Sequence, residues 1–327
     1  MTDFSIVIPV YGNEENIPSL LARLTALMTE LPALTEVVFV VDGSPDASYA
    51  ALAEALPAAS FRSQLLQHSR NFGSFAAIRT GLAAAKGQSI GVMAADLQEP
   101  AELMVEFQRV LSAGAVVVAV GRRVSRNDPA LSSLSSRAFW GLYRRTIARE
   151  MPPGGVDVFG CTRAVAEELI RLDEANSSLV AQLYWVGFRR AEIPYSRQER
   201  EHGKSTWTLR KRVKYLLDSV FAFTNLPLDL LLLTGVLGSV AVAVIAAVVL
   251  GFYLGGGITE PGYVPLMLAI LFSTFLTITS IGIVGAYVWR IFDNTKRRPP
   301  SIVMSREEWG TRLKQRAARR PERPGAS

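Results

Sequence analysis

Two long uncharged apolar runs toward the C-terminal end constrain this chain more than any other feature. Leu230–Leu254 and Val264–Trp289 each exceed the roughly 20 residues that an α-helix needs to cross a bilayer. Arg210, Lys211, Arg212 and Lys214 precede the first run, and Lys296, Arg297 and Arg298 follow the second. The connector Gly255–Gly262 carries Glu260 but no Lys or Arg. Basic flanks stay on the cytoplasmic side of a membrane, so the expected topology is a hairpin with both termini cytoplasmic and the connector outside. Tyr253, Tyr263, Tyr287 and Trp289 stand at the span ends, where amphipathic rings suit the headgroup level. The net charge of +6 and pI near 9.6 could serve nucleic acid or an anionic membrane surface. The basic clusters flank the apolar runs, so membrane lipids are the expected partner and nucleic acid is not. The single cysteine, Cys161, forbids an internal disulfide and fits a reducing compartment. No basic n-region opens the chain, so the hairpin is the expected insertion signal.

Ahead of these runs the pattern is that of a soluble α/β protein. Phe4–Val10 is a continuous apolar run, as expected of a strand buried on both faces. Ile17, Leu20, Leu21, Leu24 and Leu27 then recur at helical spacing. Further strands are expected at Glu36–Val41, Leu65–His68, Ser89–Ala95 and Ala115–Gly121, with helices at Phe72–Ala85 and Glu102–Leu111. This alternation implies a mostly parallel sheet covered on both faces, with ligands at the carboxyl ends of its strands. Polar residues gather at those ends: Tyr11 to Glu14, Asp42, Arg70 and Asn71, Asp96, then Arg122 and Arg123. Asp157–Arg163 and Arg190–Tyr195 are expected as further strands, and Trp207–Phe223 as an amphipathic helix on the membrane surface. The expected organisation is a domain over 1–206, an interfacial helix over 207–224, the hairpin within 225–292, and a basic tail over 293–327, loosely ordered beyond Arg306.

Asp96-Leu97-Gln98-Glu99-Pro100 offers two carboxylates and an amide carbonyl in one turn. Such a turn can hold a divalent metal that neutralises a departing diphosphate, or it can cap the helix that follows. Val7-Ile8-Pro9-Val10-Tyr11, Val41-Asp42-Gly43-Ser44, Ser69-Arg70-Asn71-Phe72-Gly73 and Ala95–Pro100 occur in that order. The set resembles the family-2 glycosyltransferases with a GT-A fold. It is most similar to the polyprenyl-phosphate sugar transferases: dolichyl-phosphate mannose synthase, prophage glucosyl transferases and the aminoarabinose transferase of lipid A modification. Arg200-Glu-His-Gly203-Lys204-Ser205, followed by a basic helix and two spans, completes the likeness, which extends to Arg298.

The resemblance implies a membrane-anchored, inverting transferase of the bacterial inner membrane. It would move a sugar from a nucleotide-sugar to polyprenyl phosphate, in bacteria undecaprenyl phosphate, and would form a homo-oligomer, a tetramer by likeness. It implies that Pro9, Tyr11, Glu14 and Asp42 hold the nucleotide. Asp96 and Gln98 would contact Mg²⁺ or Mn²⁺. Arg122, Arg200, Lys204 and Ser205 would gather phosphates, a task that suits cationic side chains with several donors. Asp96, Arg200 and Lys204 are thus the expected catalytic set. Because the acceptor is already an anion, no strong general base is needed; catalysis is positioning plus neutralisation of the leaving diphosphate.

Two departures stand out. The first Asp of the family's Asp-X-Asp is Ala94 here, and the first Asp of its Asp-Asp-Gly-Ser is Val41. Glu99 is the residue that could compensate at the metal. The departures keep open a second class of function, a catalytically weak nucleotide-sugar-binding scaffold of an envelope complex. A processive polysaccharide synthase is disfavoured, because the chain has no Gln-x-x-Arg-Trp motif and too few spans. Of the two histidines, His68 is expected in the core, and His202 falls in the phosphate motif without a required role.

Overall fold

A computed structural model of the 327-residue chain describes residues 2–125, 150–151, 156–172, 174, 177–197, 217–221, 224, 226–255, 262–296 and 298–310. The chain divides into two compact units. One comprises Met1–Asp173, Ser178–Leu209 and Pro299–Ser327, the other Glu174–Ser177 and Arg210–Arg298.

The first unit is built on one mixed sheet. Its strands are β1 (Thr2–Val10), β2 (Thr35–Val41), β3 (Arg62–His68), β4 (Gly87–Val92), β5 (Val118–Ser125), β6 (Phe159–Thr162), β7 (Arg190–Ser196) and β8 (Val303–Trp309). They lie in the order β7-β5-β6-β4-β1-β2-β3-β8. β1 runs parallel to β2 and β4, and β2 parallel to β3. β6 is antiparallel to both β4 and β5, and β8 is antiparallel to β3. Every residue of β2 is buried, which is why its pattern is a continuous apolar run rather than an alternation. The helices α1 (Ile17–Leu27), α2 (Ser48–Ala55), α3 (Ser74–Ala84), α4 (Leu103–Ser112), α5 (Arg163–Arg171) and α6 (Leu179–Trp185) fill the crossovers and ends.

The pleat of β1 divides its side chains between two layers. Phe4, Ile6, Ile8 and Val10 enter one core with Leu20 and Leu24 of α1, Leu52 of α2 and Phe107 of α4. Val7 faces the other way, onto α3, where a Cβ on Gly81 would fall 2.2 Å from its Cγ1. The parallel register sets Val10 beside Val41 and Val41 beside Gln67. The carboxyl ends of β1, β2 and β3 therefore open on one rim, as the alternation of elements predicts.

Element bounds shift by a few residues from expectation. β4 opens at Gly87, ahead of the expected Ser89, and a Cβ on Gly87 would lie 2.6 Å from the Ser5 amide nitrogen. The larger correction concerns the C-terminal segment. Val303–Trp309, expected within a basic tail and in part as loosely ordered chain, is a strand of the sheet. Its side chains are anchored: Tyr49 donates to Glu307 at 2.6 Å, Lys86 to Glu308 at 2.7 Å and Arg306 to Gln64 at 2.9 Å.

The second unit contains α7 (Leu226–Leu254) and α8 (Tyr263–Thr295). At the α-helical rise they are about 40 Å and about 50 Å long. Apolar side chains along both are open, among them Leu233, Val236, Ile278 and Ile281, at 53%, 52%, 65% and 66% exposure. Among the described residues one stretch, Phe272–Thr295, is long and apolar enough to cross a membrane, and Leu226–Gly238 is a shorter apolar helix segment. Of Trp207–Phe223, residues 217–221 are described and are helical; the rest lies outside the described residues.

Candidate active site

The loops after β1 and β2 are stitched together by side chains. Gly12 N donates to Ser44 Oγ at 2.8 Å, Asn13 N to Ser48 Oγ at 3.2 Å and Glu14 N to Asp46 Oδ2 at 3.1 Å. Glu14 answers by accepting from Ala47 N at 2.9 Å. Asp46 Oδ1 also accepts from the hydroxyls of Ser44 and Ser48, each at 2.6 Å. Burial pushes the Asp46 carboxyl up, but these hydrogen bonds outweigh it and hold it below its ordinary value. Asp46 is legible in the sequence only as part of a turn, yet it organises this rim. Tyr11 stands 41% exposed on it, and Pro9 is half-buried in β1 beside Val40.

Asp42, expected to hold the nucleotide, is bonded to its own chain. Its side chain is 2% exposed. Oδ1 accepts from Phe72 N at 2.9 Å and pairs with His68 Nδ1 at 2.8 Å, while Oδ2 accepts from Gly73 N at 2.7 Å. The carboxylate is enclosed and pins the loop Arg70–Gly73. Within that loop the Arg70 guanidinium lies 4.0 Å from the centroid of the Phe72 ring.

Beyond β4, Leu97 adopts φ +52° between Asp96 and Gln98. A left-handed residue that is neither Gly nor Asn costs about 1–2 kcal/mol, and such strain clusters at functional sites. Gln98 Oε1 accepts from Arg197 at 2.5 Å, and Arg197 Nε lies 3.7 Å from Glu99 Oε1. Glu99 is 4% exposed and its Oε2 has no partner among the described residues. Asp157 pairs with Arg123 and accepts from the Tyr195 hydroxyl at 3.1 Å. The sequence marks Arg123, Asp157 and Tyr195 only at the ends of expected strands and does not single out Arg197; β5, β7 and the residues leading into β6 bring them together.

Burial, and after it the charges of Asp157 and Asp96, push Glu99 up from 4.5 to about 7; Arg197 and Arg123 oppose this without offsetting it. The folded protein therefore keeps a proton that the unfolded chain releases. Stability is complete below the unfolded value and falls as pH rises through about 7, by an amount on the order of 3 kcal/mol. Glu99→Gln cannot ionise. In metal-free buffer its stability relative to wild type should rise steadily from about pH 5 to about pH 8. Denaturant titrations at both ends check this; a constant difference overturns it.

Residues 5–171 match the family described as Glycosyl transferase family 2. The chain belongs to glycosyl transferase family 2. An uncharacterized glycosyltransferase of Synechocystis is 30% identical over 308 residues, 94% of this chain and 96% of its own. The uncharacterized glycosyltransferase YkcC of Bacillus subtilis is 32% identical over 92% of this chain and 93% of its own. An undecaprenyl-phosphate 4-deoxy-4-formamido-L-arabinose transferase of Salmonella dublin is 31% identical over 91% of this chain and 92% of its own. The mixed α/β sheet of this family-2 glycosyltransferase is of the Rossmann-like GT-A kind.

The remaining residues expected at the site divide into three groups. Arg122 pairs with Glu192 at 3.2 Å, both about half exposed. Arg200, Lys204 and Ser205 lie outside the described residues. Asp96 and Gln98 share one turn, and that pair suits a metal shared with a diphosphate, since Mg²⁺ uses one or two carboxylates together with phosphate and water oxygens. Glu99, the third candidate, is buried with its carboxyl raised to about 7, so a metal there would have to displace a proton. Among the described residues no group of three His, Cys, Asp or Glu side chains converges to hold a metal.

Proposed function

We propose that this family-2 glycosyltransferase is membrane-anchored and transfers a sugar, with inversion, from a nucleotide-sugar to a polyprenyl phosphate, undecaprenyl phosphate in a bacterium. The observation that carries the reading is the likeness, over 91% of this chain, to a transferase named for undecaprenyl phosphate. The two long helices with open apolar sides support a lipid acceptor.

In this reading the nucleotide lies on the rim formed by Tyr11–Glu14, Ser44–Ser48 and Arg70–Gly73. A phosphate oxygen of the lipid attacks the anomeric carbon, the bond from that carbon to the diphosphate breaks, and the nucleoside diphosphate leaves. A divalent metal held by Asp96 and Gln98 would supply neutralisation of the diphosphate charge. Arg197, already on Gln98, adds a guanidinium beside the same turn. Arg122, Arg200, Lys204 and Ser205 take the lipid phosphate. Domain 1–206 is the catalytic part, 207–224 rests on the membrane surface, and the hairpin spans it.

The deciding experiment incubates membranes containing the protein with undecaprenyl phosphate and a panel of UDP- and GDP-sugars, then weighs the lipid product. A glycosylated undecaprenyl phosphate is expected with at least one donor. A second reading, a weakly active binding scaffold, is motivated by Ala94; donor binding without lipid product would establish it. Topology is checked separately. A reporter fused after Ser327 should behave as cytoplasmic, and one inserted at Gly256 as external. The reverse pattern would overturn the cytosolic donor.

A further inference from the structure

We propose that the C-terminal segment Ser301–Trp309, which the chain adds to the sheet after its last long helix, is a positioning element of the donor site. It acts along a line of hydrogen bonds to the amides of Phe72 and Gly73. The proposal rests on the donor reading of the rim given above.

Ser301 Oγ lies 2.8 Å from Thr80 Oγ1, and Thr80 Oγ1 lies 2.9 Å from His68 Nε2. His68 Nδ1 is 2.8 Å from Asp42 Oδ1, and Asp42 takes the two loop amides. His68 and Asp42 are each 1% exposed, so water does not compete for these bonds. The line has one sense in the neutral ring. Asp42 accepts, so Nδ1 carries the hydrogen; Nε2 then accepts from the Thr80 hydroxyl, whose oxygen accepts from Ser301. Three residues, Ser301, Thr80 and His68, thus line up behind one carboxylate. A direct tie runs beside it, from Ser69 N to Ile302 O at 3.0 Å.

The register of β8 is fitted to this task. Gln67 faces Ser305 while His68 faces Val303, so Met304 is an extra residue in the ladder. Such a bulge re-aims its neighbours, here at the point where β3 delivers His68. Nothing in the transfer chemistry needs His68 to exchange a proton. Its burial between a carboxylate and a hydroxyl suits holding a loop in place.

The test uses the full chain in detergent micelles. Thr80→Val keeps the side-chain shape and removes the hydroxyl; Ser301→Ala cuts the line at its C-terminal end; Thr80→Ser restores the hydroxyl. In Thr80→Val, hydrogen exchange of the Phe72 and Gly73 amides should quicken about tenfold, the scale of one hydrogen bond. Amides of β1 and β2 should keep their protection. Ser301→Ala should move the same amides by less, and Thr80→Ser should return them to wild type. With whichever of UDP-glucose, UDP-N-acetylglucosamine or GDP-mannose the wild type uses, Thr80→Val should raise the donor KM at least about fivefold and leave the KM for undecaprenyl phosphate unchanged. Unaltered exchange at Phe72 and Gly73 overturns the proposal. Exchange that quickens uniformly across the sheet also overturns it, because that marks a general stability role. If neither UDP nor GDP binds the wild type, the donor reading fails, and the exchange result still decides the coupling.

Discussion

Replacing Asp96 by Asn lowers sugar transfer by at least about a hundredfold, the scale of losing one electrostatic element aimed at a developing charge. The substitution keeps the shape of the turn and removes its charge. Ala94 has no group to substitute. Glu99, one residue past Gln98, is buried with its proton held up to about 7. Asp96 is thus the more open carboxylate of this turn. Asn keeps the Oδ1 that accepts from Gln98 N, so the loss should fall on kcat/KM and leave folding intact. Initial rates with the donor found by the panel, alongside a melting curve, check it. Activity within a few-fold of wild type would reassign diphosphate neutralisation to the guanidinium groups, with Arg197 the first to examine.

Gly43→Ala should be the most damaging small substitution on the rim. Gly43 has φ +57°, and a Cβ there would stand 2.2 Å from the Arg70 carbonyl carbon and 2.5 Å from the Asn71 nitrogen. Both neighbours are backbone and cannot swing aside as a flexible side chain could. The left-handed conformation costs an alanine about 1 kcal/mol, and overpacking adds about 1–3 kcal/mol. The expected loss of stability is about 3 kcal/mol in all, with donor KM raised because the loop Arg70–Gly73 is forced from Asp42. Denaturant unfolding and donor titration measure the two effects. A stable variant with unchanged donor affinity would mean that the loop relaxes without consequence and does not line the donor site.

Much of the sheet was legible before any coordinates. Phe4–Val10 and Glu36–Val41 are apolar at consecutive positions because parallel central strands are buried on both faces, and both became inner strands. The alternation with helical spacing located α1, α3 and α4 to within a few residues. β8 escaped notice for a local reason. In Val303-Met-Ser-Arg-Glu-Glu-Trp309 four of seven residues are polar or charged, and their partners, Gln64, Tyr49 and Lys86, are remote in sequence. An edge strand held by such side-chain pairs leaves no apolar period to detect. Asp42, expected at the nucleotide, is held by His68 and two loop amides of its own chain. A strand-end Asp looks the same in sequence whether it faces a ligand or its own chain.

The sequence by itself determined the α/β class, the family, and the long apolar helices, since each rests on local periodicity or on ordered short motifs. Only the tertiary structure decided which polar residues of the rim are open and which are spent on the fold. It enclosed Asp42 with His68, drew Arg197 onto Gln98, and brought Asp157, Arg123 and Tyr195 around Glu99. Those outcomes depend on burial and on distances between strands far apart in the chain. A carboxylate's proton affinity and reach are set by the dielectric and the neighbours that packing supplies, not by the residues on either side of it.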